Sequence, residues 1–129
     1  MKMPHEGVYT RLAPSKVGGV GVFAIRQIPK GMFMFEDDDE PFVEVPEHFV
    51  KQMSGETRKL YEDFCVLKDG NYLCPVSFNK LNPSWFLNHS ATPNVGTNAE
   101  IQFYALRDIE AGEELVADYN SYSDDGFKQ

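Results

Sequence analysis

An apolar run that stops abruptly at polar side chains is the first place in this chain where chemistry can be expected. Residues 85–87 are Trp, Phe and Leu, and Asn88, His89 and Ser90 follow them directly. This order places Asn88 and His89 where a buried core gives way to a polar loop, the kind of rim at which ligands bind. His89 alone is more often a satisfied structural histidine than a base or metal ligand, because no second ligand lies nearby in the sequence.

Three glycines near the amino terminus, Gly18, Gly19 and Gly21, form a second segment of interest. Glycines let a backbone approach a ligand closely and leave its N–H and C=O groups facing that ligand. The spacing does not match a dinucleotide-binding fingerprint, because position 24 is Ala24 and because a strand rather than a helix follows. Taken alone, such a segment is more often a simple turn.

The third segment, residues 111–120, reads as a turn and a strand that end in Asp118 and Tyr119. By composition Tyr119 is a core aromatic residue with a satisfied hydroxyl group. Its occurrence together with the other two segments favours a function for the phenol instead.

Short segments rich in β-branched and aromatic residues, bounded by glycine and proline, must position these side chains. They predict strands at 8–12, 20–25, 32–36, 42–45, 101–106 and 114–117. Helix formers in the middle of the chain predict helices over 46–53 and 54–67, with Pro46 suited to a first turn and Ser54 to an N-cap. The predicted fold class is mainly β with short helices, and the helical insert is interpreted as a lid on the core.

The two β-rich ends share a nine-residue pattern. Residues 23–31 align without gaps on residues 104–112, which lie 81 positions later, and both copies have Ala, Arg, Ile and Gly at the same places. Each copy reads as a strand, a tight turn whose glycine can take a positive φ, and a return strand. This predicts two similar β-hairpins around a pseudo-twofold axis. Coincidence among common strand and turn residues is the alternative.

Length and composition limit the class of protein. With 129 residues, of which 42% are hydrophobic and 13% aromatic, the chain is predicted to form a single domain over 1–129 rather than a disordered segment. The net charge of −8 argues against direct nucleic-acid or anionic-membrane binding and favours a cationic partner. No apolar run approaches the ~20 residues of a membrane span, so we expect an intracellular protein.

The two cysteines, Cys65 and Cys74, are too few for a disulfide scaffold. Together with three dispersed histidines they show no structural zinc spacing, so no metal site is predicted. We expect both cysteines to be reduced core residues.

Taken together, the three segments resemble the SET domain of protein lysine methyltransferases. The resemblance rests on Gly-Val-Gly-Val-Phe-Ala at 19–24, Asn-His-Ser-Ala-Thr-Pro-Asn at 88–94, and Gly-Glu-Glu-Leu at 112–115 leading to Asp118 and Tyr119. Their order and spacing agree with that family over about residues 8–122. The resemblance implies a SET-domain β-clip of small curled sheets around a pseudo-twofold axis. It also implies a C-terminal pseudoknot, an exception to the usual absence of threading.

The resemblance further implies an enzyme, an S-adenosylmethionine-dependent protein-lysine N-methyltransferase. The backbone of Gly19, Val20 and Gly21 would hold the cofactor, together with Asn88 and His89. Backbone groups of His89 would contact the adenine edge, and the Asn88 side chain would help to hold the methionine end.

Tyr119 is the catalytic residue that the resemblance implies. Its phenolic oxygen would orient the donor and favour the partly positive methyl group. It need not be the base, because a tyrosine of ordinary pKa, ~10, stays protonated at neutral pH. The acceptor would be a lysine of a histone or another basic protein, and desolvation in a narrow apolar channel lowers the pKa of a lysine.

Two positions depart from the family pattern. Trp85 stands where many relatives have Arg, and Ala117 stands where many have a second aromatic residue. The wall of the lysine channel is then expected to be rebuilt by Phe103, Tyr104 or Tyr122. The same departures favour the alternative, a catalytically inactive SET-like or β-clip module that binds a peptide or a small ligand.

Residues 36–40 are five consecutive carboxylates. A solvated loop is the simpler interpretation, and a patch that steers a basic, lysine-bearing tail is the alternative. The expected partner is a lysine-bearing, basic protein. We expect a monomer or homodimer in the cytoplasm, with the nucleus or a host nucleus as the other locations.

Overall fold

The computed structural model describes residue 1 and residues 3–35 and 41–124. The described chain forms two compact units. The first contains the described residues of Met1–Asp38 and Asn82–Asp118, and the second contains those of Asp39–Leu81 and Tyr119–Gln129. A single domain over 1–129 stays a prediction, and the acidic run 36–40 lies outside the described residues.

Within the described residues, strands outnumber helices. The strands are β1 (Thr10–Pro14), β2 (Val20–Ala24), β3 (Val43–Pro46), β4 (Val66–Lys68), β5 (Asn71–Cys74), β6 (Asn88–His89), β7 (Val95–Thr97), β8 (Phe103–Ala105) and β9 (Glu114–Ala117). The α-helices are α1 (Glu47–Lys51) and α2 (Gly55–Phe64), and 3₁₀ helices cover Phe78–Lys80, Pro83–Phe86 and Tyr119–Ser121. The predicted class, mainly β with short helices, is confirmed, whereas the C-terminal pseudoknot stays a prediction. The helices that the structure describes are too short and too polar to cross a membrane.

The first unit is built on one curled, six-stranded sheet. The strands follow the order β1-β2-β9-β7-β8, and β6 also pairs with β9. The last strand that the structure describes, β9, therefore lies inside the sheet, antiparallel to β2 and parallel to β6 and β7. Fully buried aliphatic side chains form the core of this unit, among them Val22, Val95 and Leu115. Burial of this apolar surface is the main favourable term that holds the sheet together.

The duplicated pattern forms a pseudo-twofold arrangement in the first unit. Its two isoleucines, Ile28 and Ile109, are fully buried and exchange two backbone hydrogen bonds of 2.8 and 2.9 Å. The strands pair between the copies: β2 pairs with β9, which follows the second copy, and Tyr104 on β8 bridges to Phe33, which follows the first. The pseudo-twofold arrangement is confirmed, but the two copies do not each form a hairpin as predicted, because each copy pairs with the other.

Two glycines close the equivalent turns of this arrangement. Gly31 has a φ of 85° and donates its amide to the carbonyl of Ala105, while Gly112 has a φ of 91° and donates to Ala24. Both hydrogen bonds measure 2.8 Å. A Cβ at either glycine would meet no atom within 4 Å, so the cost of a side chain there comes from the left-handed backbone alone.

Gly31→Ala and Gly112→Ala are each expected to lower the free energy of unfolding by about 1–2 kcal/mol, the usual cost of a left-handed conformation for an L-residue. Gly31→Asn should cost less, because asparagine tolerates this region. Urea unfolding of the purified variants measures these values. A neutral Gly112→Ala beside a costly Gly31→Ala would show that the two turns are not energetically equivalent.

The second unit contains a three-stranded antiparallel sheet of order β3-β5-β4, with α1 and α2. Its core consists of Val50, Cys65, Leu67, Tyr72 and Cys74. Both cysteines are buried and unbridged, which confirms the predicted core positions, whereas their reduced state stays a prediction. A hydrogen bond with Cys74, together with burial, raises the pKa of the Cys65 thiol.

Two predicted elements differ from the structure for identifiable reasons. The second helix ends at Phe64 rather than 67, because Val66 and Leu67 pair with β5 and Leu67 is buried in the core. Of the strand predicted at 32–36, the described residues 32–35 form a single bridge, at Phe33. Phe35 has a φ of 63°, which ends the extended conformation there.

Candidate functional site

The predicted ligand rim lies on β6 in the first unit. Leu87 is buried in the core at 4% exposure, and the two residues that follow it, Asn88 and His89, are half-buried. β6 runs parallel to β9, with Asn88 opposite Val116 and His89 opposite Ala117. The apolar run therefore ends at the edge of the core, where two polar side chains are held by a regular strand pairing.

The side-chain amide of Asn88 has a defined orientation. Its Nδ2 donates to the carbonyl oxygen of Val20 at 3.1 Å and to Oε2 of Glu114 at 2.8 Å. Both partners are acceptors, so the NH₂ group, and not the carbonyl, must point toward them. Within the described chain, Asn88 Oδ1 accepts no hydrogen bond. This oxygen is left as an acceptor for a donor from outside the chain.

The glycine segment is a tight turn between β1 and β2. The amide of Ser15 donates to the carbonyl of Gly19 at 2.9 Å, and Gly18 and Gly19 have φ values of 102° and 64°. The turn is exposed, and no atom lies within 4 Å of a Cβ built on either glycine. Gly21 differs, because a Cβ there would overlap Oε2 of Glu114 and lie 2.9 Å from its Cδ. A side chain at position 21 would therefore displace the carboxylate of Glu114 that packs over Gly21.

His89 lies beside a carboxylate. Its Nδ1 is 3.8 Å from Oδ1 of Asp118, and its side chain is 14% exposed. The next residue, Ser90, donates its amide to the carbonyl of Ala117 at 3.0 Å. Backbone pairing thus continues past His89 and fixes the main chain that the family resemblance assigns to the adenine edge.

Asn94 is a buried polar residue, 4% exposed, whose side chain bonds the backbone of β9 as a neighbouring strand would. Its Nδ2 donates to the carbonyl of Glu114 and its Oδ1 accepts from the amide of Val116, both at 2.8 Å. Its own amide donates to the carbonyl of Val116 at 3.2 Å. One side chain therefore bonds two part-buried backbone groups of β9, one acceptor and one donor.

Tyr119 belongs to the second unit and follows Asp118 directly along the chain. It begins the 3₁₀ helix Tyr119–Ser121, and its ring contacts that of Tyr122 edge to face, with 6.1 Å between the ring centroids. Burial raises the pKa of Tyr119 above the ordinary value of 10.0. The phenol is therefore protonated at neutral pH and presents a hydroxyl dipole rather than an anion.

The three residues predicted for the substrate channel are distributed over both units. Phe103 and Tyr104 are neighbours on β8, so their side chains point to opposite faces of the sheet. Phe103 packs against the core of the first unit, and Tyr104 lies beside Phe33 with 5.5 Å between ring centroids. Tyr122, in the second unit, contacts the predicted catalytic tyrosine. The channel itself stays a prediction.

Two residues of the hydrogen-bonded group around Asn88, Ser15 and Glu114, had no predicted role. Glu114 lay inside a recognised string, but nothing in that string shows that its carboxylate accepts from Asn88. Ser15 carries no sequence signal, because its partner Glu114 is 99 residues away. Such a contact is set by the pairing of β2 with β9 and not by local pattern.

Comparison with known proteins defines the class. The family model of the SET domain matches residues 19–120. This span contains Gly19, Asn88, His89 and Tyr119. The chain belongs to the SET domain family.

Two individual likenesses agree with that membership. The histone-lysine N-methyltransferase, H3 lysine-36 specific, of Schizosaccharomyces pombe is 33% identical over 127 residues, a match that covers 90% of this chain. The chain spans 15% of the length of that relative. A crystal structure of a candidate histone methyltransferase from Plasmodium falciparum is similar with a TM-score of 0.55 and 20% identity, over 84% of this chain and 90% of that one. The second likeness shows the fold alone.

Proposed function

We propose that this protein transfers a methyl group from S-adenosylmethionine to the side-chain amine of lysine in a protein substrate. The observation that carries the proposal is the SET domain match over residues 19–120, which spans every residue predicted to bind the cofactor as well as the predicted catalytic tyrosine. The curated relative is named for the same reaction on a histone.

The residues of the first unit are chemically suited to this cofactor. The backbone of Gly19, Val20 and Gly21, the side chain of Asn88 and the main chain of His89 would hold it. Asn88 Oδ1, which accepts no bond within the described chain, matches the primary ammonium of an amino-acid-like ligand, since that ammonium carries donors and no acceptor. The exposed turn next to Val20 leaves backbone groups accessible to a ligand.

Tyr119 is the residue we propose to act on the reacting group. When bound, S-adenosylmethionine supplies a methyl group on a sulfonium, whose positive charge passes to the lysine nitrogen on transfer. The hydroxyl of Tyr119 contributes a preorganised dipole and alignment, the two effects that such a displacement needs from the protein. It does not serve as the base, because burial raises its pKa and the phenol keeps its proton.

The substrate we propose is a basic, lysine-bearing protein, with histones as the first candidates. The name of the Schizosaccharomyces pombe relative, specific for lysine 36 of histone H3, supports this class. The net charge of −8 favours association with a cationic tail and disfavours direct binding of nucleic acid. Such a substrate would be met inside the cell, in the cytoplasm or in a nucleus.

Cofactor binding and methyl transfer test the proposal separately. S-adenosylmethionine at ~100 times its dissociation constant is expected to stabilise the protein by about 2.7 kcal/mol, which thermal melting detects. Asn88→Ala should lose this shift, and Asn98→Ala, which changes a half-buried asparagine in another loop, should keep it. Labelled methyl groups should then appear on core histones or on basic proteins of a cell lysate.

The outcomes separate the alternatives. No thermal shift with S-adenosylmethionine or S-adenosylhomocysteine would refute the proposal. A shift without methyl transfer to any protein would favour a SET-like binding module that has lost catalysis.

A further inference from the structure

We propose that Glu114 is a positioning residue for cofactor binding, and that with Ser15 it sets which arm of the Asn88 amide faces the ligand. The inference rests on the proposed function, because it concerns the same cofactor. Neither residue needs to touch the cofactor. Glu114 acts through Asn88, and Ser15 acts through Glu114.

The first step concerns the orientation of Asn88. An asparagine amide has a donor arm and an acceptor arm of nearly the same shape, so its environment decides between two orientations. Here the carboxylate of Glu114 at 2.8 Å and the carbonyl of Val20 at 3.1 Å both demand the donor arm. A bond to a carboxylate is the stronger of the two, because the acceptor is charged. Without Glu114, the longer bond to Val20 alone would oppose rotation of the amide.

The second step concerns what holds the carboxylate. The hydroxyl of Ser15 lies 2.9 Å from Oε1 and 3.0 Å from Oε2 of Glu114, so it donates to the carboxylate from the side of the glycine turn. The amide of Ser15 also closes that turn on the carbonyl of Gly19. The missing Cβ of Gly21 provides the space that the carboxylate occupies. The turn, the carboxylate and the amide of Asn88 therefore form one hydrogen-bonded network.

The third step concerns the ligand. With its donor arm committed, Asn88 can offer only Oδ1, which recognises a cationic N–H donor such as a primary ammonium. In the rotated orientation its NH₂ group would face that ammonium, and donor would meet donor. Glu114 therefore determines whether the contact with the cofactor is attractive.

The test compares Glu114→Met, Glu114→Gln and Ser15→Ala by calorimetric titration with S-adenosylmethionine. Methionine keeps the approximate volume and removes the acceptor, so Glu114→Met should weaken binding roughly tenfold or more. Glutamine retains an acceptor oxygen for Asn88 and should restore most of the affinity. Ser15→Ala should weaken binding by a few fold, because the carboxylate loses one anchor. Glu113→Met is the matched control: it removes a carboxylate that pairs with Arg107 and should leave the affinity unchanged.

A second readout needs no cofactor. In the free protein, the side-chain amide protons of Asn88 should shift upfield in the NMR spectrum of Glu114→Met and return toward the wild-type position in Glu114→Gln, since a carboxylate bond is lost and an acceptor is then restored. If Glu114→Met does not fold, the affinity of Ser15→Ala for S-adenosylmethionine still tests the inference.

The outcomes distinguish the inference from the proposed function. If wild-type protein binds S-adenosylmethionine and both Glu114→Met and Ser15→Ala bind it equally well, the inference is overturned and the proposed function stands. If the chemical shifts of the Asn88 side-chain amide protons are unchanged in Glu114→Met, the inference is overturned as well. If wild-type protein binds no S-adenosylmethionine, both are overturned.

Discussion

Replacing Tyr119 with Phe is expected to slow methyl transfer roughly 10²- to 10³-fold, the usual cost of removing one preorganised dipole from a reacting centre. The substitution deletes a single oxygen and keeps the ring, so the edge-to-face contact with Tyr122 remains. Cofactor affinity should stay close to the wild-type value, because the loss falls on the rate rather than on ground-state binding. Single-turnover transfer of labelled methyl at saturating cofactor, with calorimetric titration beside it, measures the two quantities.

Tyr61→Phe is the control for this experiment. Tyr61 is another half-buried tyrosine of the second unit, and its ring packs edge to face on Phe78 with 5.1 Å between centroids. Loss of its hydroxyl should leave the transfer rate within a factor of about two, as is usual for a change remote from the reaction. A Tyr119→Phe variant that transfers at the wild-type rate would remove Tyr119 from the mechanism.

Asn94→Ala should lower the free energy of unfolding by about 2–5 kcal/mol, the second large effect. The substitution leaves the carbonyl of Glu114 and the amide of Val116 without their side-chain partner, and each unsatisfied buried group costs about 1–3 kcal/mol. The site is 4% exposed, so water replaces the lost amide poorly. Urea unfolding followed by circular dichroism measures the change.

Two further variants make this measurement specific. Asn98→Ala also removes side-chain bonds to backbone amides, but those bonds are exposed and water substitutes for them, so it should cost less than about 1 kcal/mol. Asn94→Asp keeps an acceptor for Val116 but places a second carboxylate oxygen against the carbonyl of Glu114 at a buried site, so it should cost more than the loss of one hydrogen bond. If the free energy of unfolding of Asn94→Ala lies within about 1 kcal/mol of the wild-type value, the side-chain bonds of Asn94 do not stabilise β9 as proposed.

Local patterns predicted the parts of this fold that depend on local interactions. β9 was predicted at 114–117 and lies at Glu114–Ala117, and the two helices begin within a residue of their predicted starts. The repeated isoleucines predicted a pseudo-twofold axis, and Ile28 does pair with Ile109. In each case neighbouring side chains, by propensity or by repetition, carry the information.

The remaining features depend on pairing between distant segments, which a single sequence does not encode in any local window. β6 has two residues and β7 has three, too short for any periodicity. β6 forms by pairing with β9, and β7 forms by pairing with β8 and, at Val95, with β9. The motif around Asn88 and Asn94 predicted polar residues at a rim. It did not predict that Glu114 holds Asn88 or that Asn94 bonds the backbone of β9. For the same reason, Ser15 carried no signal.

Because β9 lies between β2 and β7, the sheet of the first unit cannot close until residue 117 has left the ribosome. The hairpin of β1 and β2 is complete by residue 24, so the other edge of β2 stays unpaired until β9 has been synthesised. At ~5–20 residues per second, synthesis from residue 24 to residue 117 takes roughly 5–20 s. An unpaired edge beside an apolar strand is the kind of surface on which nascent chains aggregate or recruit chaperones. Synthesis of this unit is therefore expected to be sensitive to pauses in translation between codons 24 and 117.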